Sequence, residues 1–475
     1  MPITIKPSIF REYDIRGIIE KELSPELAKY LGIAFAKYLK SKLPIEQKHM
    51  PTIAVGRDCR FSGESYAHGL IAGLTEQGVN VVVLGVCPTP LTYFSLFHLN
   101  LDGGIMITGS HNPPEYNGYK ICVGKETIHG HQIQELRQIM EALTNTQINP
   151  LQPEKRGNTS EYPIINAYID YLIKNSCAHN TKKIVLDAGN GVAGCVAPAM
   201  FQRLGATVIP LYCDMDGSFP NHHPDPTVPA NLKDLIATVK KENADFGIAF
   251  DGDADRIGLV DERGNILFGD ELMVIFSRAV LKDRPGATII SEVKSSHRLY
   301  NDILAHGGKP LMWKTGHSLI KAKMKETKAA LAGEMSGHIF FADRYFGYDD
   351  AIYAALRFYE IAGSTTKPAS SFLEDLPKTI ATPEIRIECE EASKFALVEE
   401  TKRHLSGSEG KINDIDGIRI DFGDGWGLLR ASNTQPVLVL RFEAPTEPRL
   451  IDIKNKMETA LQRAAKTLGH VPLVL

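Results

Sequence analysis

Short apolar runs rich in β-branched residues recur along the chain, each ending in a turn-forming stretch. They are TIAVG to Gly56, VVVLG to Gly85, GGIMI before Thr108, KIVLDAGNG to Gly191, DFGIAFDGD to Asp253 and ATIISEV to Val293. Runs this short and this uniformly apolar suit strands buried on both faces. Between them the apolar residues recur every three or four positions. In SPELAKYLGIAFAKYLK, Leu27, Leu31, Ala34, Phe35 and Tyr38 share one helical face, Ser24 is placed to cap and Pro25 suits the first turn. Strands alternating with such helices predict an α/β fold with sheets covered on both sides. The strand-turn-helix theme restarts near Lys183 and again near Ala287, so three similar units are expected. After the polar, proline-bearing stretch from Pro377 to Pro383 the pattern changes. IRIECEE, GIRIDF and PVLVLRFEA alternate as antiparallel strands do, with a closing helix from about Arg449. The division is three mixed or parallel-sheet α/β domains, 1–157, 158–264 and 265–376, and a smaller α+β domain, 377–475.

Composition narrows the function classes. The chain has 475 residues, enough for several domains, with a formal net charge of -4 and 23% charged residues. It has no basic excess to hold a polyanion, so nucleic acid is not expected as a partner. No stretch approaches the ~20 uninterrupted apolar residues of a membrane span, and MPITIKPSIFREYDIRG lacks the apolar core of a signal peptide. The expectation is a cytoplasmic protein with no membrane partner. Seven cysteines are scattered without a CxxC pair, as free thiols would be.

Four stretches offer chemistry. In TGSHNPPEYNGYKI, Ser110 follows the apolar run Gly104–Ile107, so its hydroxyl emerges near a strand end, where ligands of open α/β sheets bind. In FDGDADRIGLV, Asp251, Asp253 and Asp255 crowd into one tight loop, and a hard cation would relieve their repulsion. A solvated acidic turn is the alternative. A calcium EF-hand, suggested by Glu262 at loop position twelve, fails because position six is Arg256 where glycine is needed. GEMSGH gathers Glu334, Ser336 and His338; such groups suit sugar hydroxyls, though a polar glycine-rich turn has the same composition. RASNTQ puts Arg430, Ser432, Asn433 and Thr434 into one loop before a strand, a donor cluster suited to phosphate and equally to ordinary turn chemistry. Tyr13, Arg16, Arg57, Lys294 and His317 lie near glycines or expected strand ends.

Together these residues resemble the α-D-phosphohexomutase superfamily, in its bacterial phosphomannomutase/phosphoglucomutase branch. The resemblance rests on TGSHNP, DGDADR, GEMSGH and RASNT in that order, with YDIRG, GRDCRFSG, DGSFPNHHPDP and WKTGHSLIKAKMKE between them, and covers nearly the whole chain. It implies four domains around a central cleft and an isomerase that moves a phosphoryl group between carbons 1 and 6 of mannose or glucose phosphates. Ser110 would be the phosphorylated residue and, with Asp251, Asp253 and Asp255, would hold Mg2+, supported by Arg256. Hexose 1,6-bisphosphate would be intermediate and activator. Tyr13, Arg16, Lys294, His317, Glu334, Ser336, His338, Arg430, Ser432, Asn433 and Thr434 would bind substrate. His338, ahead of Lys120, would be the base, with Arg16 assisting. Hexose phosphates are the expected partners of a monomer or weak dimer. Rival readings are a phosphoglucosamine mutase, or a catalytically silent sugar-phosphate binding protein. Ala254 stands where the metal loop often has glycine, and Gln435 where a second threonine is common; neither supplies a ligand atom, so little change in chemistry is expected.

Overall fold

The structure, a computed structural model, describes residues 4–43, 50–144, 151–178, 180–405, 410–433 and 435–469. Local signals set the first helix, Pro25–Lys42: Ser24 Oγ accepts from Leu27 N at 3.1 Å, and Leu27, Leu31, Ala34, Phe35 and Tyr38 are all buried. Elsewhere too the apolar runs become central strands.

Four sheets follow one another along the chain. In the first, Gly103–Ile107, Thr52–Arg57 and Asn80–Val86 run parallel, and Tyr116–Val123 lies antiparallel between Gly103–Ile107 and Ile15–Ile18. In the second, Phe246–Phe250, Lys183–Asp187 and Thr207–Leu211 are parallel, with Ile257–Asp261 antiparallel beside Phe246–Phe250. In the third, Lys309–Trp313, Thr288–Glu292 and Leu331–Gly333 are parallel, and Ile339–Phe341 is antiparallel beside the last. The fourth sheet is antiparallel throughout and carries the helix Glu447–Thr467.

The first sheet reaches past residue 157. Thr159–Glu161 pairs in parallel with Asn80–Val86 as its outer strand. Its sequence TSE is exposed and polar, so no apolar run marks it. Apolar packing is continuous through the first three units, from Phe94 and Tyr168 through Phe246 to Phe358, whereas the fourth has its own core around Ile418, Leu440, Phe442, Ile453 and Leu461. Among the described residues no helix is long and apolar enough to cross a membrane. The cysteines are unpaired; Cys87, Cys122 and Cys389 are buried and Cys177 is exposed.

Candidate active site

Each of the first three units makes the same connection, from a parallel strand into its antiparallel neighbour, and each such connection carries one of the polar motifs. Ser110 lies between Gly103–Ile107 and Tyr116–Val123, the three aspartates between Phe246–Phe250 and Ile257–Asp261, and Glu334 to His338 between Leu331–Gly333 and Ile339–Phe341. The second and third turns touch: Arg256 and His338 form a backbone bridge, and Ile257 N donates to Gly337 O at 3.0 Å.

Ser110 is buried, with φ +50°, and its backbone N–H donates to Thr108 Oγ1 at 2.8 Å. Its Oγ lies 3.1 Å from Asp251 Oδ2 and 3.1 Å from His111 Nδ1. Asp251 Oδ1 accepts from the N–H groups of Asp255 and Arg256, both at 3.1 Å. Asp253 Oδ2 accepts from Thr89 Oγ1 at 2.6 Å and from Lys120 Nζ at 2.7 Å, and the same ammonium donates to Asp255 Oδ2. Among the described residues Asp253 Oδ1 is buried without a hydrogen-bond donor, and Asp255 Oδ1 faces only the His338 ring, with Nε2 3.2 Å away. Ligand oxygens of all three carboxylates lie within 4.8 Å of one another. Burial and then the neighbouring Asp253 and Asp255 push Asp251 well above the usual carboxylate range; burial acts the same way on Asp255, but Lys120 and His338 outweigh it and hold that carboxyl low. Three buried carboxylates that converge, one of them with an undonated oxygen, fit a hard divalent cation better than they fit a solvated turn. Ala254, where glycine is common, has φ +62° and so takes the left-handed conformation that glycine adopts without strain.

Glu334 Oε2 accepts from His338 Nδ1 at 2.8 Å and Oε1 from Gly316 N at 2.7 Å. Burial opposes both charges, yet the pairing with His338 brings Glu334 down to about 2, and Asp255 leads the effects that raise His338 to about 9. His338 Nε2 lies 3.2 Å from Asp255 Oδ1 and 3.2 Å from Arg256 Nε. A protonated Nε2 donates to Asp255; a neutral one accepts from Arg256. Lys120 is likewise held protonated: burial disfavours its charge, but Asp253 and Asp255 outweigh that. With the charges of the aspartates uncompensated, both candidate bases therefore carry a proton at neutral pH. Ser336 Oγ is 3.3 Å from His338 Nδ1, and His317 Nδ1 is 3.2 Å from Asp349 Oδ2.

The fourth unit closes the far wall. Arg430 belongs to the strand Trp426–Ala431 rather than to a loop, paired with Val439, and its Nε donates to Asp416 Oδ2 at 3.1 Å. The ladder with Val437–Ala444 extends to Ala431, so only Ser432 and Asn433 of the motif's described residues form the turn. Thr434 lies outside the described residues. Tyr13 joins three units: its hydroxyl donates to Thr315 O at 2.8 Å and accepts from Asn433 Nδ2 at 2.9 Å. Lys294 Nζ is 3.1 Å from Glu384 and 3.5 Å from Glu292.

One cleft of about 210 Å³ is lined by Tyr13, Arg16, Ser110, Lys120, Arg256, Lys294, His317, Glu334, Ser336, His338, Arg430 and Ser432, with the aspartates buried beneath. Arg57, at the end of its strand, does not line it. The cleft also holds residues that the sequence alone does not single out: His111, Asp14 and Asn112, of which the last two hold the Arg16 guanidinium, and Glu384, Arg386 and Arg11 on the wall. Asp14 and Asn112 sit inside YDIRG and TGSHNP, so the motifs themselves carried that signal. Thr89 and Glu384 had none, because their partners are distant in the chain.

Four mixed or antiparallel units around a cationic cleft, with a serine set against buried carboxylates, describe an enzyme site for a small anionic ligand. The chain belongs to the phosphoglucomutase/phosphomannomutase family: it matches alpha/beta/alpha domain I over residues 7–147, domain II over 166–264, domain III over 268–380 and the C-terminal domain over 384–460. It is 47% identical to the phosphomannomutase/phosphoglucomutase of Pseudomonas aeruginosa over 465 residues, 98% of each chain. It is 43% identical to the phosphoglucomutase of Neisseria gonorrhoeae, covering 97% of this chain and 98% of that one. A crystal structure of a phosphoglucomutase/phosphomannomutase family protein from Burkholderia thailandensis superposes with a TM-score of 0.89 at 40% identity, covering 97% and 98% of the two chains.

Proposed function

We propose that this chain is an isomerase that moves a phosphoryl group reversibly between carbons 1 and 6 of mannose and glucose phosphates, by way of a phosphorylated Ser110 and a hexose 1,6-bisphosphate. The observation that carries the reading is the placement of Ser110 Oγ 3.1 Å from Asp251, at the floor of a cleft walled by Arg16, Lys120, Arg256, Lys294 and Arg430. Four units, bounded near 157, 264 and 376 with the strand Thr159–Glu161 added to the first, each contribute one turn or strand end to it.

Asp251, Asp253 and Asp255, with a phosphoryl oxygen on Ser110, would hold the metal. Mg2+ bound there would offset charge developing on the phosphoryl oxygens and draw off the Asp255 charge that now keeps His338 protonated. A sugar hydroxyl attacks phosphorus as the bond to Ser110 Oγ breaks, and its proton passes to His338 Nε2, whose partner then changes from Arg256 to Asp255. Lys120, anchored on Asp253 and Asp255, serves as a fixed positive charge beside Ser110. Arg16 is aimed at the serine loop by Asp14 and Asn112. Glu334 and Ser336 meet the sugar hydroxyls, His317 and Lys294 flank them, and Arg430, Ser432, Asn433 and Thr434 take the phosphate that is not reacting. After the first transfer the bisphosphate turns end for end and returns its other phosphoryl group to Ser110.

Purified protein supplied with Mg2+ and a hexose 1,6-bisphosphate is expected to interconvert the 1- and 6-phosphates of mannose and of glucose, faster than those of glucosamine. No conversion of either pair by enzyme phosphorylated on Ser110 would refute the assignment; a clear preference for glucosamine phosphates would move it to the phosphoglucosamine reading.

A further inference from the structure

Arg60 lies directly beneath the Ser110 turn, 1% exposed, and would pass for a further phosphate ligand. Its donors exclude that. A guanidinium has five N–H groups, and here Nε donates to Asp58 Oδ2 at 3.1 Å, Nη1 to Pro113 O at 2.6 Å and Tyr116 O at 2.9 Å, and Nη2 to Ser110 O at 2.9 Å and Asn112 O at 2.5 Å. None is left for a ligand. What the side chain does is draw four backbone carbonyls, from Ser110 to Tyr116, onto one rigid plane.

Three further contacts fix that plane. Asp58 Oδ2, which accepts from Arg60 Nε, also accepts from Gly109 N at 3.1 Å, tying the start of the turn to the same carboxylate. A Cβ on Gly109 would fall 2.4 Å from Arg60 Cζ, so the guanidinium lies flat against a residue that has no side chain. From the second unit, the Phe219 ring covers the guanidinium at 5.1 Å. The clamped turn holds Ser110 at φ +50°, a left-handed conformation that costs a non-glycine residue ~1 kcal/mol or more. It also turns the loop's carbonyl oxygens down to Arg60 and away from the cleft, where their lone pairs would oppose a phosphoryl dianion.

We propose that Arg60, oriented by Asp58, is a positioning residue for the reaction: it sets the direction of Ser110 Oγ and clears backbone carbonyls from the phosphoryl site, without touching substrate. This rests on the reading of Ser110 as the phosphorylated residue. Arg60→Lys keeps the positive charge but offers three donors from a single atom, which cannot hold four carbonyls in one plane.

The test begins with wild-type and variant enzyme phosphorylated by a hexose 1,6-bisphosphate, with folding compared by near-ultraviolet circular dichroism and label located by peptide mapping. Transfer from Ser110 to glucose 6-phosphate is then followed in a single turnover. Arg60→Lys should transfer about 10- to 100-fold more slowly, because a displaced phosphoserine no longer presents its phosphorus and leaving oxygen in line with the attacking sugar hydroxyl, while KM for the monophosphate changes little. A folded, phosphorylated variant that transfers at the wild-type rate, or is impaired through KM alone, overturns the proposal. Should Arg60→Lys fail to fold, Asp58→Asn decides: it keeps the shape and the carbonyl contacts of Arg60, and a slowing of about 3- to 10-fold is expected where a wild-type rate overturns the proposal. Absence of label from Ser110 in the wild type would instead remove the proposed function, and the positioning role with it.

Discussion

Asp253 divides its oxygens between unlike tasks: Oδ2 is held by Thr89 and Lys120, while Oδ1 is buried with no donor. Asp253→Asn keeps the shape but removes a charge that a divalent cation needs. Turnover should fall at least ~100-fold at saturating substrate, with Mg2+ required at higher concentration and substrate affinity nearly unchanged; steady-state kinetics over a magnesium series checks this. The neighbouring Glu334 and His338 form a charged pair whose contribution to stability has two limbs. Glu334 is depressed from 4.5 to about 2, so its share is present above pH 4.5 and is lost as pH falls toward 2. His338 is raised from 6.5 to about 9, so its share is complete below pH 6.5 and is lost as pH rises through 9. Glu334→Gln removes one of the effects that raise His338, and the imidazole should titrate at lower pH in metal-free enzyme, followed by nuclear magnetic resonance.

In the third unit the helix Ala351–Gly363 starts on Asp350. That carboxylate accepts from Tyr353 N at 2.8 Å and from the Tyr168 and Tyr345 hydroxyls, so it caps the helix and ties it to the helix Ile164–Asn175. Burial raises its pKa from 3.8 to about 6 despite those bonds. A raised carboxyl pKa means that the fold disfavours the ionised form, so stability should decline as pH rises from 3.8 to about 6 and be level above. Asp350→Asn should flatten that slope, and Asp350→Ala should cost ~2–4 kcal/mol through the lost cap and the orphaned hydroxyls; thermal melts across that pH range measure both. Elements were legible where the signal is local. Ser24, Pro25 and the spacing of Leu27, Leu31 and Phe35 suffice for the first helix, and the buried strands show as apolar runs. Thr159–Glu161 was not legible, being a polar outer strand whose place is set by its partner. Turn-forming Ser432 and Asn433 after Arg430 suggest a loop there, whereas the ladder with the next strand runs through it.

At the scale of the whole molecule, the fourth unit has its own core and meets the third through a small apolar cluster of Val293, Met312, Ile415, Trp426 and Leu428 and through polar contacts, among them Lys294 with Glu384, Ser296 with Glu443 and Arg441 with Asp270. Tyr13 adds a link from the first unit by way of Asn433. The motifs made the chemistry of each turn legible, but not these contacts, since pairs such as Thr89 with Asp253 or Tyr13 with Asn433 leave no mark on local sequence. Arg430, on the fourth unit's wall of the cleft, bears on both directions of the reaction. Arg430→Ala should lower kcat/KM by about 100-fold or more from the 1-phosphate and from the 6-phosphate alike, because remote phosphate binding helps to align the reacting groups; a defect confined to one direction would place that phosphate elsewhere. The central claim is that Ser110 alternately gives and receives the phosphoryl group. Enzyme incubated with hexose 1,6-bisphosphate carrying radioactive phosphorus, then quenched and mapped, should bear label on the peptide containing Ser110, and excess unlabelled glucose 6-phosphate should chase it into bisphosphate at the rate of turnover. Label on another residue, or label on Ser110 that the sugar phosphate cannot remove while turnover continues, would contradict the account.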